Sequence, residues 1–300
     1  MKRRTFIRLT GVFALLGLPW VTQAGQSPVA GDVPVALRLK PHHQDQDPNE
    51  GRADEWPIPV IKVVGVGGAG ANAVEHLIRE GCGGIDYICC GTDATALTRS
   101  SAPVRLQLGS GHGTGGRPDF ARELAKLDRL RIAETLAGAH MVFITAGLGG
   151  GTGTGAAPVV AEVAREMGIL TVAMVTKPFD FEGNRRLLAE DGAAELARHA
   201  DALIVLPNEI LVEAFGDGIS MREALTVADD IMKGTITAIV DLLNKPGLAG
   251  IDFDDIRWAV AEKHGRTSVG SATASGFGRS RRVVEAALTF VPVSTGSRKP

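Results

Sequence analysis

The sequence feature that most constrains this chain is the run Gly149-Gly150-Gly151-Thr152-Gly153-Thr154-Gly155. The apolar residues at 141–146 before it predict a buried strand, and the apolar spacing at 159–164 predicts a helix with Pro158 in its first turn. Five glycines let backbone N–H groups converge on a ligand, and a helix N-terminus adds the positive end of its dipole. A merely tight strand-to-helix turn is the alternative, but it needs only one or two glycines. The run therefore predicts a phosphate-binding loop.

A second glycine-rich segment follows the first predicted strand, at 60–64. Gly65, Gly67 and Gly70 match the G-x-G-x-x-G pattern of dinucleotide sites, ahead of a helix predicted over 73–80. Alone, this pattern would indicate NAD and an oxidoreductase. A dinucleotide site does not need the second glycine run, so the two segments together leave the nucleotide open.

Strands and helices alternate along most of the chain. Further strands are predicted at 85–90, 169–176 and 202–206, and amphipathic helices at 123–136 and 221–243. This alternation predicts an α/β fold, a doubly wound parallel sheet with ligands at the carboxyl ends of its strands. Both glycine-rich segments described above fall at those ends.

Together with its flanks, the run at 149–155 resembles the signature of the tubulin/FtsZ family, in which it wraps the phosphates of GTP. The resemblance extends unevenly over about residues 60–278. It implies a Rossmann-like nucleotide domain of the tubulin/FtsZ type, a central helix and a truncated second domain. The implied domains are 57–219 for GTP binding, 220–244 for the central helix, and 245–300 for a catalytic-type loop and the shortened second domain.

The resemblance also implies the residues of a GTP site. The first loop, with Asn72 near the base, and the glycine run would hold the nucleotide, Glu182 would accept ribose hydroxyls, and Arg186 would lie near the sugar and phosphates. Asp229 would accept hydrogen bonds from guanine N1–H and N2–H₂, beside the apolar Leu225. Without the resemblance, Glu182 and Arg186 would be read as a surface ion pair at helical spacing. The implied nucleotide-binding residues are Gly67, Gly68, Ala69, Gly70, Ala71, Asn72, Gly150, Gly151, Thr152, Gly153, Thr154, Glu182, Arg186 and Asp229.

The catalytic positions implied by the family are Asp252 and Asp255, which would orient water at the nucleotide of the next subunit. An acidic start of a helix is the alternative interpretation of this pair. The chain departs from the family pattern where Gly91 and Gly250 replace asparagines. It also departs at 109–118, where the loop that senses the γ-phosphate is about four residues shorter.

Composition and the N-terminal region indicate which partners and which cellular compartment to expect. A formal net charge of −2 gives no general attraction to nucleic acid, and Cys82, Cys89 and Cys90 are expected as buried apolar residues. Residues 1–24 resemble a twin-arginine export signal, and the polar composition of 25–56 predicts a disordered linker. Export conflicts with a need for GTP, so the cytoplasm is favoured.

These patterns predict a GTPase of bacterial cell division that binds GTP and GDP, with Mg²⁺ held through the phosphates. Its expected partner is itself or a full-length homologue in head-to-tail filaments, without the family's C-terminal anchor-binding peptide. Three alternatives stay open: a nucleotide-binding but non-hydrolysing regulator of filaments, an NAD-dependent oxidoreductase, and a fragment that does not fold alone.

Overall fold

The computed structural model describes residues 59–209, 211, 220–244, 252–261, 278 and 281–282. Its centre is a six-stranded, all-parallel sheet with strand order β3-β2-β1-β4-β5-β6. The strands are β1 (Ile61–Val66), β2 (Asp86–Gly91), β3 (Val104–Gln107), β4 (Met141–Gly147), β5 (Leu170–Lys177) and β6 (Ala202–Pro207). The order reverses between β1 and β4, which is where doubly wound sheets bind ligands. The predicted fold class is confirmed.

Helices cover both faces of this sheet. They are α1 (Gly67–Arg79), α2 (Ala94–Thr98), α3 (Pro118–Leu127), α4 (Arg129–Leu136), α5 (Thr152–Glu166), α6 (Arg185–His199), α7 (Met221–Asn244) and α8 (Phe253–Ala261), with a 3₁₀ turn at Asp180–Glu182. Among the described helices, none is long and apolar enough to cross a membrane.

The core divides into two layers because successive strand side chains point to opposite faces. In β4, Val142 and Ile144 join the layer under α3, α4, α5 and α6. Phe143 and Met141 join the layer under α1, α7 and α8. The central helix α7 therefore packs on the same face as α1. Its start is fixed by a reciprocal capping box between Ser220 and Glu223.

Two local predictions were wrong. The helix predicted over 123–136 is two helices, α3 and α4, separated at Asp128, whose carboxylate accepts a hydrogen bond from Gly109 N–H at 2.8 Å. Pro158 lies inside α5 rather than in its first turn, because α5 already begins at Thr152. The carbonyl of Thr154, four residues earlier, therefore lacks its usual helical donor.

The cysteines follow the prediction only in part. Cys89 and Cys90 are buried in β2, and burial raises the pKa of Cys90 to about 12. Cys82 is half-buried, with its sulfur 3.3 Å from Thr237 Oγ1. All three are free thiols.

Candidate nucleotide site

Two helix N-termini meet at the point where the sheet order reverses. α1 begins directly after β1, and α5 begins after the glycine run that follows β4. Gly67 has a φ of +73°, and a Cβ on it would lie 3.0 Å from the backbone nitrogen of Gly153. Neither helix carries an acidic residue in its first turn. The positive dipole ends of two helices are thus adjacent and open to an anion.

The glycines of the run have different roles. A Cβ on Gly153 would lie 2.3 Å from the carbonyl oxygen of Gly147, and one on Gly155 would lie 2.0 Å from that of Pro118. These two glycines let α5 pack closely on β4 and α3. Gly149 adopts a φ of +93°. Only around Gly150 is there free space, with Arg185 Nη2 the nearest atom at 3.9 Å from a Cβ built there. The open part of the run is therefore centred on Gly150.

The threonines of the run hold it in shape. Gly149 N–H donates to Thr154 Oγ1 at 2.8 Å, and Thr154 is buried. Thr152 is half-buried and shares a hydrogen bond of 2.7 Å with Thr92, in the loop after β2. Gly151 is buried, and a Cβ there would lie 2.1 Å from Thr114 Oγ1. The loop at 109–117 is thereby packed directly against the glycine run.

The first loop is the start of α1 rather than a separate turn. Gly67 and Gly70 are buried, and a Cβ on Gly70 would lie 2.2 Å from the carbonyl oxygen of Thr145. Gly68 and Ala69 are exposed, and nothing lies within 4 Å of a Cβ built on Gly68. Ala71 is half-buried and Asn72 is exposed. Of this loop, residues 68, 69 and 72 thus face solvent.

The segment after β5 places an arginine that the sequence analysis missed. Glu182 Oε1 accepts a hydrogen bond from Phe179 N–H at 2.9 Å, and its other carboxylate oxygen is paired with Arg185. Arg185 Nε also donates to the carbonyl of Gly149 at 3.3 Å. Arg186 instead contacts Asp180 at 3.2 Å. The spacing of Glu182 and Arg185, three residues apart, was the signal available in the sequence.

A carboxylate without a partner lies on the first half of α7. Asp229 is partly buried and has no hydrogen bond to any residue in the described part of the chain. Burial raises its pKa to about 6; Asp230 adds to this rise, while His76 and Arg79 oppose it. Leu225, one helical turn earlier, is 42% exposed. An accessible apolar side chain and an unpaired acceptor therefore share one face of α7.

Asp252 and Asp255 lie far from these residues. They form a reciprocal capping box at the start of α8: Asp255 N–H donates to Asp252 Oδ1 at 2.8 Å, and Asp252 N–H donates to Asp255 Oδ2 at 3.1 Å. The Phe253 ring meets the His140 ring edge-on at 6.1 Å, and His140 directly precedes β4. α8 thus starts at the amino ends of the strands. Since β4 has seven residues, this edge is about 20 Å from the glycine run.

No group of three His, Cys, Asp or Glu side chains suited to a metal ion occurs among the residues that the structure describes. Gly250 lies outside them, as do residues 1–58 and most of 245–300. The predictions made for those segments therefore concern residues outside the described part of the chain.

Comparisons with known proteins agree with this architecture. The family model described as Tubulin/FtsZ family, GTPase domain, matches residues 60–216. The chain is 48% identical over 235 residues to "Cell division protein FtsZ" of Pseudomonas putida, which covers 77% of this chain and 59% of the relative. The Pseudomonas aeruginosa protein of that name is 48% identical over 234 residues, with 76% and 59% covered.

A solved structure gives the same result. "FtsZ dimer, empty" of M. jannaschii has a TM-score of 0.71 and 38% identity, covering 77% of this chain and 68% of that one. The chain spans about three fifths of the length of the curated relatives just described.

Proposed function

This chain belongs to the tubulin/FtsZ family, and from that premise we propose that it binds GTP and hydrolyses it at the junction between subunits of a filament in bacterial cell division. The observation that carries the proposal is the separation of two half-sites. An anion cradle lies at the carboxyl edge of the sheet, and a pair of aspartates lies at the amino edge. One copy cannot bring both to the same nucleotide.

At the carboxyl edge, the phosphates bind at the paired starts of α1 and α5, against Gly68, Ala69 and Gly150. Backbone N–H groups serve this purpose well because they carry positive partial charge without a side chain's entropy cost. Gly67, Gly70, Gly151, Gly153 and Thr154 support the cradle through close packing, and Ala71 and Thr152 line its edge.

The sugar and base bind beyond the cradle. Glu182 has lone pairs left for ribose hydroxyls, although Phe179 N–H and Arg185 already contact it. We assign Arg185 to the phosphate mouth, because its guanidinium bridges Glu182 and Gly149, and Arg186 to the outer rim. Asp229 accepts from guanine, with Asn72 and Leu225 beside the base.

At the amino edge, Asp252 and Asp255 of one subunit approach the γ-phosphate of the next and orient the attacking water. Asp255 is exposed and Asp252 half-buried, and the shared capping geometry holds the two carboxylates together at that edge. A head-to-tail contact builds a filament when its rotation does not close into a ring.

When bound, Mg²⁺ would be held through the phosphates of the nucleotide and would neutralise part of their charge. The partner is a second copy of this chain or a full-length homologue. We place the protein in the cytoplasm at the division site, where GTP is supplied. The NAD-dependent alternative is set aside by the family match.

The test is calorimetric binding of GTP, GDP and NAD to the full chain, followed by GTP turnover and sedimentation with Mg²⁺. We expect guanine-selective binding, turnover that rises with protein concentration, and pelletable polymer. Binding without turnover or polymer would identify a non-hydrolysing regulator instead. A folded sample that binds no guanine nucleotide would refute the proposal.

A further inference from the structure

Polar contacts join α1 to α7 in a row. His76 Nε2 lies 2.8 Å from Asp230 Oδ1, and one helical turn further along each helix Lys233 Nζ lies 2.8 Å from Glu80 Oε2. The His76–Asp230 pair lies next to Asp229, because Asp230 directly follows Asp229 in the chain. His76 is largely buried, with 12% of its side chain exposed, whereas Asp230 is 55% exposed.

Recognition of guanine requires a charged Asp229. Guanine presents N1–H and N2–H₂ side by side, so both carboxylate oxygens must accept. A protonated carboxyl uses one oxygen as a donor and would face one of these N–H groups with the wrong polarity. The charge state of Asp229 therefore decides whether the base binds.

We infer that His76 and Asp230 act as positioning residues that set the charge of Asp229 and so make guanine binding depend on pH. This inference rests on the proposed function. The ionisable groups facing Asp229 are His76 and Arg79 from α1 and Asp230 from α7 itself. The His76–Asp230 contact holds the Asp230 carboxylate against α1.

The pKa that these groups give Asp229 already lies near physiological pH. Burial is the main reason that the pKa of Asp229 is raised to about 6, the nearby charge of Asp230 raises it further, and His76 and Arg79 lower it. A carboxyl with this pKa is mostly charged at pH 7.5 and mostly neutral at pH 5. We therefore expect GDP affinity to fall about tenfold between these pH values.

The two residues of the pair predict shifts of opposite sign. Asp230→Asn removes a negative charge beside Asp229, so the midpoint of GDP binding should move to lower pH by about half a unit. His76→Gln keeps an N–H donor for Asp230 but removes the imidazole that lowers the pKa of Asp229, so the midpoint should move to higher pH by a similar amount. If the two residues served only to dock α1 on α7, the two substitutions would shift the midpoint of GDP binding in the same direction or not at all.

Glu190→Gln is the control, because it removes an exposed carboxylate from α6, which packs on the opposite face of the sheet from α1 and α7. It should leave the midpoint unchanged. Asp229→Asn should remove the protein's contribution to the pH dependence and leave weak binding. Titration of the GDP phosphates is common to all variants and cancels when midpoints are compared.

The experiment is calorimetric titration of the full-length variants with GDP at half-unit steps from pH 5 to 8, with circular dichroism to establish folding. Inosine diphosphate, which lacks the N2 amino group, should show a weaker pH dependence. Midpoints that shift in opposite directions support the inference. Unshifted midpoints, or shifts of one sign, overturn it while leaving the proposed function standing. A folded wild-type chain that binds no GDP overturns both.

Discussion

At the residue scale, the charge of the partly buried Asp229 opposes folding. Its pKa is about 6 in the folded chain, chiefly through burial, against about 3.9 when unfolded. Because the folded pKa is the higher one, its stabilising contribution is complete below pH 4 and is lost as the pH rises through 6. Asp229→Asn should therefore increase the free energy of unfolding without nucleotide by about 1 kcal/mol at pH 7.5, allowing for solvent screening.

The measurement is urea unfolding of nucleotide-free protein at pH 4 and 7.5. The gain should vanish at pH 4, where the wild-type carboxyl is protonated in the folded state. Asp191→Asn, at an exposed position of α6, serves as the comparison and should change little at either pH. A variant less stable than wild type at pH 7.5 would contradict this account.

Two glycines of the same run should respond differently to alanine. Gly155→Ala places a methyl group 2.0 Å from the carbonyl oxygen of Pro118, so the free energy of unfolding should fall by about 3 kcal/mol. Gly150→Ala meets open space, so stability should change by less than about 0.5 kcal/mol, while GDP affinity drops at least roughly tenfold. Thermal unfolding and calorimetry on both variants check this; equal effects would refute the division of roles.

The sequence was sufficient to predict the two glycine-rich strand-to-helix segments at the carboxyl ends of their strands, but not to separate these roles. A glycine needed for packing and a glycine needed for ligand access have the same letter, and only the neighbours in space distinguish them. Arg185 was missed for a related reason. It adjoins Arg186 in the chain, and the turn at Asp180–Glu182 decides which of the two points towards Gly149.

At the element scale, the start of α8 combines a structural and a proposed chemical role. Asp252 caps the helix, and losing a cap costs about 1 kcal/mol. Asp252→Ser keeps an acceptor for the helix N–H groups but removes the charge, whereas Asp252→Ala removes both. We expect the serine variant to match wild-type stability yet lose most GTP turnover, and the alanine variant to lose both. Normal turnover in the serine variant would mean that the residue serves only as a cap.

Element boundaries show what a linear pattern leaves out. The apolar spacing at 123–136 predicted one helix because its period continues across Asp128. The break arises from a contact distant in sequence, between the Asp128 carboxylate and Gly109 N–H. β3 was not predicted because it is a short edge strand with two exposed residues, Val104 and Arg105, at its start. The buried strands β1, β4 and β5 were found because both of their faces are apolar.

At the scale of the whole molecule, the parallel sheet fixes the polarity of the proposed assembly. Every strand runs in the same direction, so the glycine-rich turns after β1, β3 and β4 lie at one edge and α8 begins at the other. Two edges about 20 Å apart can share one nucleotide only when the amino edge of one copy meets the carboxyl edge of another. A substitution that disables one edge should therefore leave the other edge of the same chain able to complete a junction.

This separation predicts complementation between inactive chains. Gly150→Ala disables the nucleotide edge and Asp255→Asn disables the acidic edge, so each variant alone should show little GTP turnover. In an equal mixture, a junction is complete when the nucleotide edge of an Asp255→Asn chain meets the acidic edge of a Gly150→Ala chain. Random head-to-tail assembly should restore about a quarter of wild-type turnover. Mixing Gly150→Ala with Asp229→Asn, both damaged at the nucleotide edge, should restore none. If the first mixture stays as inactive as its components although it pellets normally, the two edges do not form a shared site.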